Sequence, residues 1–242
     1  MICDSAHDTS LEEKNIRFCI DKKVDGILVL PVSKEPDFLK AAVEAGVPVV
    51  LLDRDVNGGG FDCVTIDNRP AAVRAVNRLI ESGHRKIAII HSEEYTGSER
   101  FAGYLQAMEE AHLPVPEEYI YAGPRHSTEL GYRGMKSFIA LPNPPTAVLM
   151  TNYELGLGVV MALNQAGLRC PEDISLAGFD ELILSLVIRP KICTVSQPME
   201  EIGREGVRLL LRKVQEEGGQ TPSRISMFAP LIDGESIKDL NA

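Results

Sequence analysis

Short apolar runs alternate with amphipathic stretches along almost the whole chain. Most of these runs lack the polar–apolar alternation of a half-exposed strand, so they fit parallel strands that helices cover on both faces. The strand candidates are "VDGILVLP", "VPVVLLD", "CVTID", "KIAIIH", "TAVLM", "ISLAGFD", "ICTVSQP" and "RISMFAPLI". The pattern therefore predicts a sheet structure with mainly parallel strands.

Stretches with the apolar period of an α-helix fill the intervals between the predicted strands. They cover residues 10–23, 35–45, 69–82, 98–112, 128–140, 153–166 and 199–217. Regular alternation of strand and helix is typical of βαβ crossovers. The fold class that follows is α/β, with doubly wound parallel sheets.

Residues that favour helix ends stand at the predicted boundaries. Ser10 with Glu13 forms a capping-box pattern, and Ser98 and Ser127 are candidate N-caps. Glycines follow the predicted last turns, where a residue in the left-handed conformation closes a helix. They are Gly46, Gly83, Gly167 and Gly218.

A weak internal repeat places two aspartates at equivalent points. The segments "EAGVPVVLLD" and "QAGLRCPEDISLAGFD" both run from a helix end through glycine and a turn to an apolar strand that ends in aspartate. Asp53 and Asp180 thus follow the carboxyl ends of two strands, the edge where open α/β sheets bind ligands. This favours two α/β lobes that face one cleft. The alternative is that each aspartate only caps the loop that follows.

The segment "YTGSERFAG" joins a predicted strand to a helix and carries Arg100. It contains neither a Walker A sequence nor G-x-G-x-x-G, so we expect no nucleotide phosphate site and no cofactor. Arg100 offers five donors near the strand ends and could hold vicinal hydroxyls, a carboxylate or a nucleobase edge. Its alternative role is a surface ion pair with Glu99 or Glu94.

Two further residues are candidates for ligand contact. Asn152 follows the strand "TAVLM" and is either a pure N-cap or an N-cap whose amide also faces a ligand. His126 stands near the start of another predicted helix and could stack on a ligand or bond to it, or be merely structural. Gly156 and Gly158, within the helix after Asn152, suggest close packing of that helix against the sheet.

Catalysis and metal binding find no support in the sequence. There is no G-x-S-x-G elbow and no Cys-His motif, so we expect recognition rather than an enzyme. The histidines show no metal-ligand spacing with cysteine or carboxylates, and we expect no metal. They are His7, His84, His91, His112 and His126. Aspartate, asparagine and arginine side chains suit a polyhydroxylated ligand, because each buried hydroxyl must find a partner.

Charge and composition limit the partners of the chain. Among its 242 residues, 25 are basic and 35 acidic, giving a formal charge of -10. This argues against direct binding to a nucleic-acid backbone, which needs a basic face. The five cysteines are scattered, as expected for free thiols in a reducing compartment. No apolar run approaches the roughly 20 residues of a membrane span, and the N-terminus lacks a signal-peptide pattern. We therefore expect a soluble, cytoplasmic protein.

Several segments, taken in order, resemble one known family. They are "DKKVDGILVLP", "GVPVVLLDR", "VTIDN", "LIESGHRKIAII", "SERFAGYLQAM", "PTAVLMTNYELGLGVVMALNQAGLRCPEDISLAGFDE" and "CTVSQPMEEIGREGVRLLL". They resemble the periplasmic-binding-protein-like effector domain of LacI/GalR-type bacterial transcriptional regulators. The similarity covers essentially the whole chain, and "GHRKIAII" and "TVSQPMEEIG" are its most specific stretches.

The resemblance implies two lobes joined by three crossover strands, with effector bound between them. The first lobe would comprise residues 1–67 and 197–220, and the second residues 68–196 and 221–242. Family effector contacts match Asp53, Arg100, Asn152 and Asp180, and His126 falls near a position where the family often has a stacking aromatic residue. The chain departs from the family pattern at His126 and at Tyr153, where an aspartate commonly follows the asparagine.

A larger departure concerns the start of the chain. Family members begin with a helix-turn-helix DNA-binding region and a hinge, followed by a strand and helix of the first lobe. Here "MICDSAHDTS" resembles the family's second strand and the loop after it. The first lobe is therefore expected to lack its leading strand, leaving an exposed sheet edge. Such a chain would bind effector imperfectly, and operator DNA only through a region outside it.

The resulting hypothesis is the effector-sensing, dimerising core of a transcriptional repressor that binds a sugar or related polar metabolite. One alternative is the sugar-binding component of an ABC transport system, which shares the two-lobed architecture. An α/β enzyme acting on sugars is a third possibility, which would require turnover.

Overall fold

A computed structural model describes residues 1–180, 189–215 and 221–241. Helices and strands alternate through these residues, as the sequence pattern predicts. The helices are α1 (Thr9–Asp21), α2 (Lys40–Glu44), α3 (Asn68–Glu81), α4 (Tyr95–Glu110), α5 (Thr128–Ile139), α6 (Tyr153–Ala166) and α7 (Met199–Gln215). The strands are β1 (Ile27–Val29), β2 (Val49–Leu52), β3 (Asp62–Ile66), β4 (Ile87–Ser92), β5 (Ile120–Gly123), β6 (Ala147–Met150), β7 (Ser175–Phe179), β8 (Cys193–Val195), β9 (Arg224–Met227) and β10 (Leu231–Ile232).

The chain divides into two compact units, and each has its own sheet. The first unit comprises Met1–Ile66 and Pro198–Met227, and the second comprises Asp67–Gln197 and Phe228–Ala242. The chain therefore passes between the units three times. The α/β fold class with parallel sheets is confirmed, and each unit is described separately below.

The first unit contains a four-stranded parallel sheet in the order β1-β2-β3-β9. Part of its core forms where Ile16 of α1 and the buried Phe38 and Leu39 pack with Val49 and Leu51 of β2. The strand β1 lies at one edge of this sheet. The segment "MICDSAHDTS", which resembles the family's second strand and the loop after it, contains no strand, and none of the described strands pairs with it.

The second unit contains a six-stranded sheet in the order β10-β8-β7-β6-β4-β5. All its pairs are parallel except that of β10 with β8. Every residue of β4, β6 and β7 is buried, which explains why these strands lack polar alternation in the sequence. The strand β5 is short and only partly buried, and it was not predicted from the sequence.

The close packing attributed to the α6 glycines is made with a helix rather than with the sheet. A methyl group on Gly158 would lie 2.0 Å from the carbonyl oxygen of Thr128 in α5, and one on Gly131 of α5 would lie 2.1 Å from that of Leu155 in α6. These backbones thus touch where side chains would otherwise keep them apart. At Gly156 the nearest atom, in Met150, is 3.8 Å away, so that position has no such constraint.

Two of the three predicted serine caps are wrong. The helix α1 begins one residue earlier than predicted, and the Asp8 side chain caps it by accepting bonds from the N–H groups of Ser10 and Leu11. The helix α4 begins at Tyr95, so Ser98 lies inside its first turn and donates its hydroxyl to the carbonyl of Glu93. The residues just before these serines, Thr9 and Gly97, are themselves helical, so each helix begins upstream of its serine.

The other predicted helix ends agree with the structure. The Ser127 side chain accepts a bond from the N–H of Leu130, as an N-cap should. Gly46, Gly83 and Gly167 have φ values of 68°, 87° and 68°, in the left-handed region. Gly218 lies outside the described residues.

One predicted segment is split between the two units. The run "RISMFAPLI" forms β9, which pairs in parallel with β3 of the first unit, and β10, which pairs antiparallel with β8 of the second. Residues 221–227 were predicted in the second lobe and belong instead to the first unit. The two short strands follow one another within a few residues, so they look like one segment in the sequence.

Candidate functional site

Polar side chains from several elements meet at the carboxyl ends of the strands in the second unit. We call this set the carboxyl-edge network. Hydrogen bonds and ion pairs within the unit connect its members. The members are Asn68, Glu94, Arg100, His126, Asn152, Glu154, Asp180 and Gln197. This is the edge of an open parallel sheet where ligands usually bind.

Arg100 is the buried cation of the network. Only 2% of the residue is exposed, and its guanidinium lies over the ring of Phe179 at 4.1 Å from the centroid. Its Nε donates to Oδ1 of Asn68 at 2.8 Å, and its Nη1 donates to the carbonyl of Thr151 at 2.6 Å. The alternative of a surface ion pair with Glu99 or Glu94 is therefore wrong, because this side chain is not on the surface.

Asp180 lies at the centre of the network. Its Oδ1 accepts a bond from Nε2 of Gln197 at 2.5 Å, and its Oδ2 accepts one from Nδ2 of Asn152 at 3.4 Å. Nη1 of Arg100 lies 3.9 Å from the same Oδ2. These contacts hold the carboxylate of Asp180 in place, and about 18% of its side chain is exposed.

Asn152 is an N-cap, and the two ends of its amide have different partners; that the amide also faces a ligand stays a prediction. Its Oδ1 accepts a bond from the N–H of Glu154 at 2.7 Å and so caps α6. Its Nδ2 is turned toward Asp180. The cap fixes the amide orientation, because only the oxygen can accept from a backbone N–H.

His126 brings two further carboxylates into the network. Its ring Nδ1 lies in hydrogen-bonding contact with Oε2 of Glu94, and its backbone N–H donates to the same oxygen at 3.3 Å. The other ring nitrogen, Nε2, lies 3.9 Å from Oε2 of Glu154. Glu94 thus orients the histidine ring.

The phenol of Tyr153, next to Asn152, has a pKa that is raised by its surroundings. Burial raises the pKa of its phenol, and the negative charge of Glu154, a hydrogen bond to it and the charge of Asp180 raise it further. The phenol therefore stays protonated at neutral pH. It remains a hydrogen-bond donor in a region rich in carboxylates.

Asp53 lies in the first unit, at the end of β2. Its N–H donates to the carbonyl of Val64 on the next strand at 2.8 Å, and its carboxylate pairs with Nε of Arg54 at 3.3 Å. The N–H of Asp180 bonds in the same way to Val195 on β8 at 3.0 Å. The two aspartates have φ values of 66° and 71°. The internal repeat seen in the sequence thus extends to the backbone conformation at both strand ends.

Sequence reasoning missed four members of the network: Asn68, Glu94, Glu154 and Gln197. Asn68 and Gln197 each follow an apolar strand within two residues, in "VTIDN" and "CTVSQ", and this position was the available signal. Glu94 entered only as a possible surface partner of Arg100. Its contact with His126 joins residues 32 positions apart, which the sequence alone does not indicate.

The described parts of the chain contain neither a metal-ligand cluster nor a helix that could span a membrane. No group of three or more His, Cys, Asp or Glu side chains there is arranged to hold a metal ion. Over the same residues, each helix is too short or too polar to cross a bilayer. All five cysteines are free thiols.

Comparison with known proteins assigns the family. A family model described as a periplasmic binding protein-like domain matches residues 76–237. The repressor PurR of Klebsiella pneumoniae is 32% identical over 238 residues, which cover 96% of this chain and 69% of PurR. The chain belongs to the LacI/GalR-type family. The resemblance inferred from the sequence is thereby confirmed.

Other relatives of this LacI/GalR-type chain agree. The "Probable HTH-type transcriptional repressor ExuR" of Bacillus subtilis is 34% identical over 206 residues, which cover 84% of this chain and 62% of that protein. The solved complex of the regulator CelR with cellobiose is 30% identical, with a TM-score of 0.84 over 93% of this chain and 70% of CelR. The chain thus spans 62 to 69% of the length of the two curated relatives named here.

Proposed function

We propose that this chain is the effector-binding and dimerising core of a LacI/GalR-type transcriptional repressor that senses a small polar metabolite such as a sugar. The observation that carries the proposal is the carboxyl-edge network, in which Asp180 is oriented by Gln197 and Asn152 and remains partly exposed. The complex of the related CelR with cellobiose supports a sugar as the ligand class.

The network suits a ligand rich in hydroxyl groups. A hydroxyl both donates and accepts, so it can bond to a carboxylate on one side and to an amide or guanidinium on the other. Asp180 supplies the acceptor, while Asn152 and Arg100 supply donors near it. We propose Asp53, Arg100, His126, Asn152 and Asp180 as ligand contacts, with Arg100 also serving as an internal brace.

Effector binding would act on DNA binding through a population shift. A ligand that binds one arrangement of the protein better than another changes their equilibrium by its difference in affinity. We propose that the protein acts as a cytoplasmic homodimer and that operator DNA is bound by a region outside this chain. The formal charge of -10 supports the second point, because an acidic surface repels the phosphate backbone.

The comparisons favour this function over a sugar-binding component of a transport system. The relatives named above are repressors or regulators of transcription. Reading the genomic sequence upstream of Met1 tests the choice directly. A helix-turn-helix encoded in frame supports the regulator, whereas an export signal there would overturn it.

Titration calorimetry with a panel of neutral sugars, sugar acids, amino sugars and nucleobases tests the effector site. We expect one class to bind, and Asp180→Ala to weaken that binding by at least about tenfold, as expected for loss of a hydrogen bond to a charged group. The control is Asp37→Ala, which removes an exposed carboxylate in the first unit. Equal affinity of the wild type and Asp180→Ala would refute the assignment, and so would equal weakening by both variants.

A further inference from the structure

The first seven residues fold back onto α1 in the first unit. Ala6 and His7 have φ values of 45° and 56°, which reverse the chain just before the helix. Nδ2 of Asn15 on α1 then donates to the carbonyl of Asp4 at 3.1 Å and contacts Oγ of Ser5 at 3.3 Å. The side chain of Asn15 therefore fixes the terminal segment alongside the helix.

This arrangement brings two cysteines together. Cys19 follows Asn15 by four residues and so lies on the same face of α1, one turn further along. Cys3 precedes Asp4, which Asn15 holds. The two thiols lie close enough for Cys3 to affect the pKa of Cys19, and both line the same groove. The other three cysteines stand apart from this pair on other elements: Cys63 in β3, Cys193 in β8 and Cys170 beyond α6.

Small molecules can reach the pair. Cys3 is exposed and Cys19 is half-buried. Both line an open groove of about 880 Å³ in the first unit, whose other walls include residues 24–30 and three apolar side chains of α7. A solvent-exposed thiol beside a more protected one is the arrangement in which one sulfur reacts first and its neighbour resolves the product.

We propose that Cys3 and Cys19 are a redox-active dithiol that closes to a disulfide by exchange with a low-molecular-weight disulfide such as glutathione disulfide. The Cys3 thiolate attacks one sulfur of glutathione disulfide and releases one glutathione thiolate. The Cys19 thiolate then attacks the Cys3 sulfur of the mixed disulfide and releases the second glutathione. The protein loses two electrons and two protons, which leave with the two glutathione molecules.

The order of the two steps follows from the surroundings of the thiols. Burial raises the pKa of the Cys19 thiol, and the adjacent Cys3 sulfur raises it further. At a given pH, Cys19 is therefore deprotonated to a smaller extent than an ordinary cysteine. Cys19 resolves the mixed disulfide, whereas the exposed Cys3 starts the exchange. The disulfide links the terminal segment to α1 and fixes one wall of the groove. It also restricts the unfolded chain between residues 3 and 19.

The test uses the full chain in buffers of defined ratios of reduced to oxidised glutathione, followed by mass spectrometry of the intact protein and of its unreduced peptides. We expect the loss of two hydrogen atoms and one cross-linked peptide that contains Cys3 and Cys19. Cys19→Ser should instead retain one glutathione on Cys3. The matched control Cys63→Ser should form the cross-link as the wild type does, because Cys63 is buried in β3.

Three results would overturn the proposal. They are a wild-type protein that accumulates glutathione on Cys3 without the cross-link, a cross-link between other cysteines, and a protein that stays reduced under conditions that oxidise an unstructured peptide with the same cysteine spacing. Thermal unfolding gives a second readout, since the cross-linked wild type should unfold at a higher temperature than its reduced form. Cys3→Ser should show no such difference.

Discussion

Replacing Arg100 by methionine should destabilise the second unit, because the structure gives this side chain an internal role whether or not it also contacts a ligand. Methionine keeps much of the length of the chain but removes the guanidinium. The carbonyl of Thr151 and Oδ1 of Asn68 would then lose the donor that each now has within 2.8 Å. The cation over Phe179 and the charge 3.9 Å from Asp180 would be lost as well.

The magnitude follows from the burial of Arg100, which is 2% exposed. Each hydrogen bond from a charged donor contributes about 1.5–3 kcal/mol, and a desolvated cation over an aromatic ring about 2 kcal/mol. Relief of the cost of burying the guanidinium offsets part of this sum. Removing one partner of a buried charged pair costs about 3–5 kcal/mol in total, which we take as the expected loss.

Hydrogen exchange measured by mass spectrometry on peptides from β4 and β6 is the suitable assay. It reports the second unit separately, whereas a single global unfolding curve assumes two-state behaviour that a two-unit chain need not show. Arg133→Met is the matched control, since Arg133 is 68% exposed and pairs with Glu129 along α5. That change should cost at most about 0.5 kcal/mol.

Equal effects of Arg100→Met and Arg133→Met would refute the reasoning. The hydrogen bonds that Arg100 donates to Asn68 and Thr151 would then contribute nothing measurable to stability. Arg100→Lys sharpens the test, because it keeps the charge but cannot donate to both acceptors with the fixed geometry of a guanidinium. We expect its effect to lie between those of the two methionine variants.

Two other predictions concern packing and pH. Gly158→Ala should destabilise the second unit by about 1–3 kcal/mol, because the added methyl group overpacks against Thr128. Gly156→Ala should be neutral or stabilising by up to about 1 kcal/mol. Chemical denaturation compares the stabilities of the two variants. Burial lowers the pKa of His84 and His91 below 6.5. As the pH falls, these histidines therefore bind protons in the unfolded chain before they do in the folded chain. Their contribution to stability is complete above about pH 6.5 and is lost as the pH drops below it. Urea midpoints measured across this range test the direction of the change.

Much of the fold could be predicted from the sequence because the central strands of both sheets are almost fully buried. Strands such as β4, β6 and β7 must be continuously apolar, and that pattern is visible without any structure. The failures occur where no such constraint acts. The strand β5 is half-exposed, and the boundary of α4 depends on whether "YTG" joins the helix, which local preference does not decide.

The candidate site was predictable in its positions but not in its contacts. Asn152 and Asp180 could be placed because residues after parallel strands meet at one sheet edge. The burial of Arg100 could not, since it depends on Asn68, Thr151 and Phe179, which come from three other elements. Such contacts link residues more than 30 positions apart, and only the folded chain brings them together.

The backbone at Asp53 and Asp180 adds a reason to regard both strand ends as functional. A residue other than glycine in the left-handed region costs about 1–2 kcal/mol, less for aspartate and asparagine, and such strain concentrates at binding sites. Glycine would remove that cost at either position but would also remove the carboxylate. The presence of aspartate at both ends, each with its N–H bonded to the adjacent strand, therefore favours retention of the carboxylate over relief of strain. It also makes Asp180→Asn a useful second variant for the effector titration. Asparagine tolerates this backbone conformation, removes the charge and replaces one of the two acceptor oxygens by an amide donor.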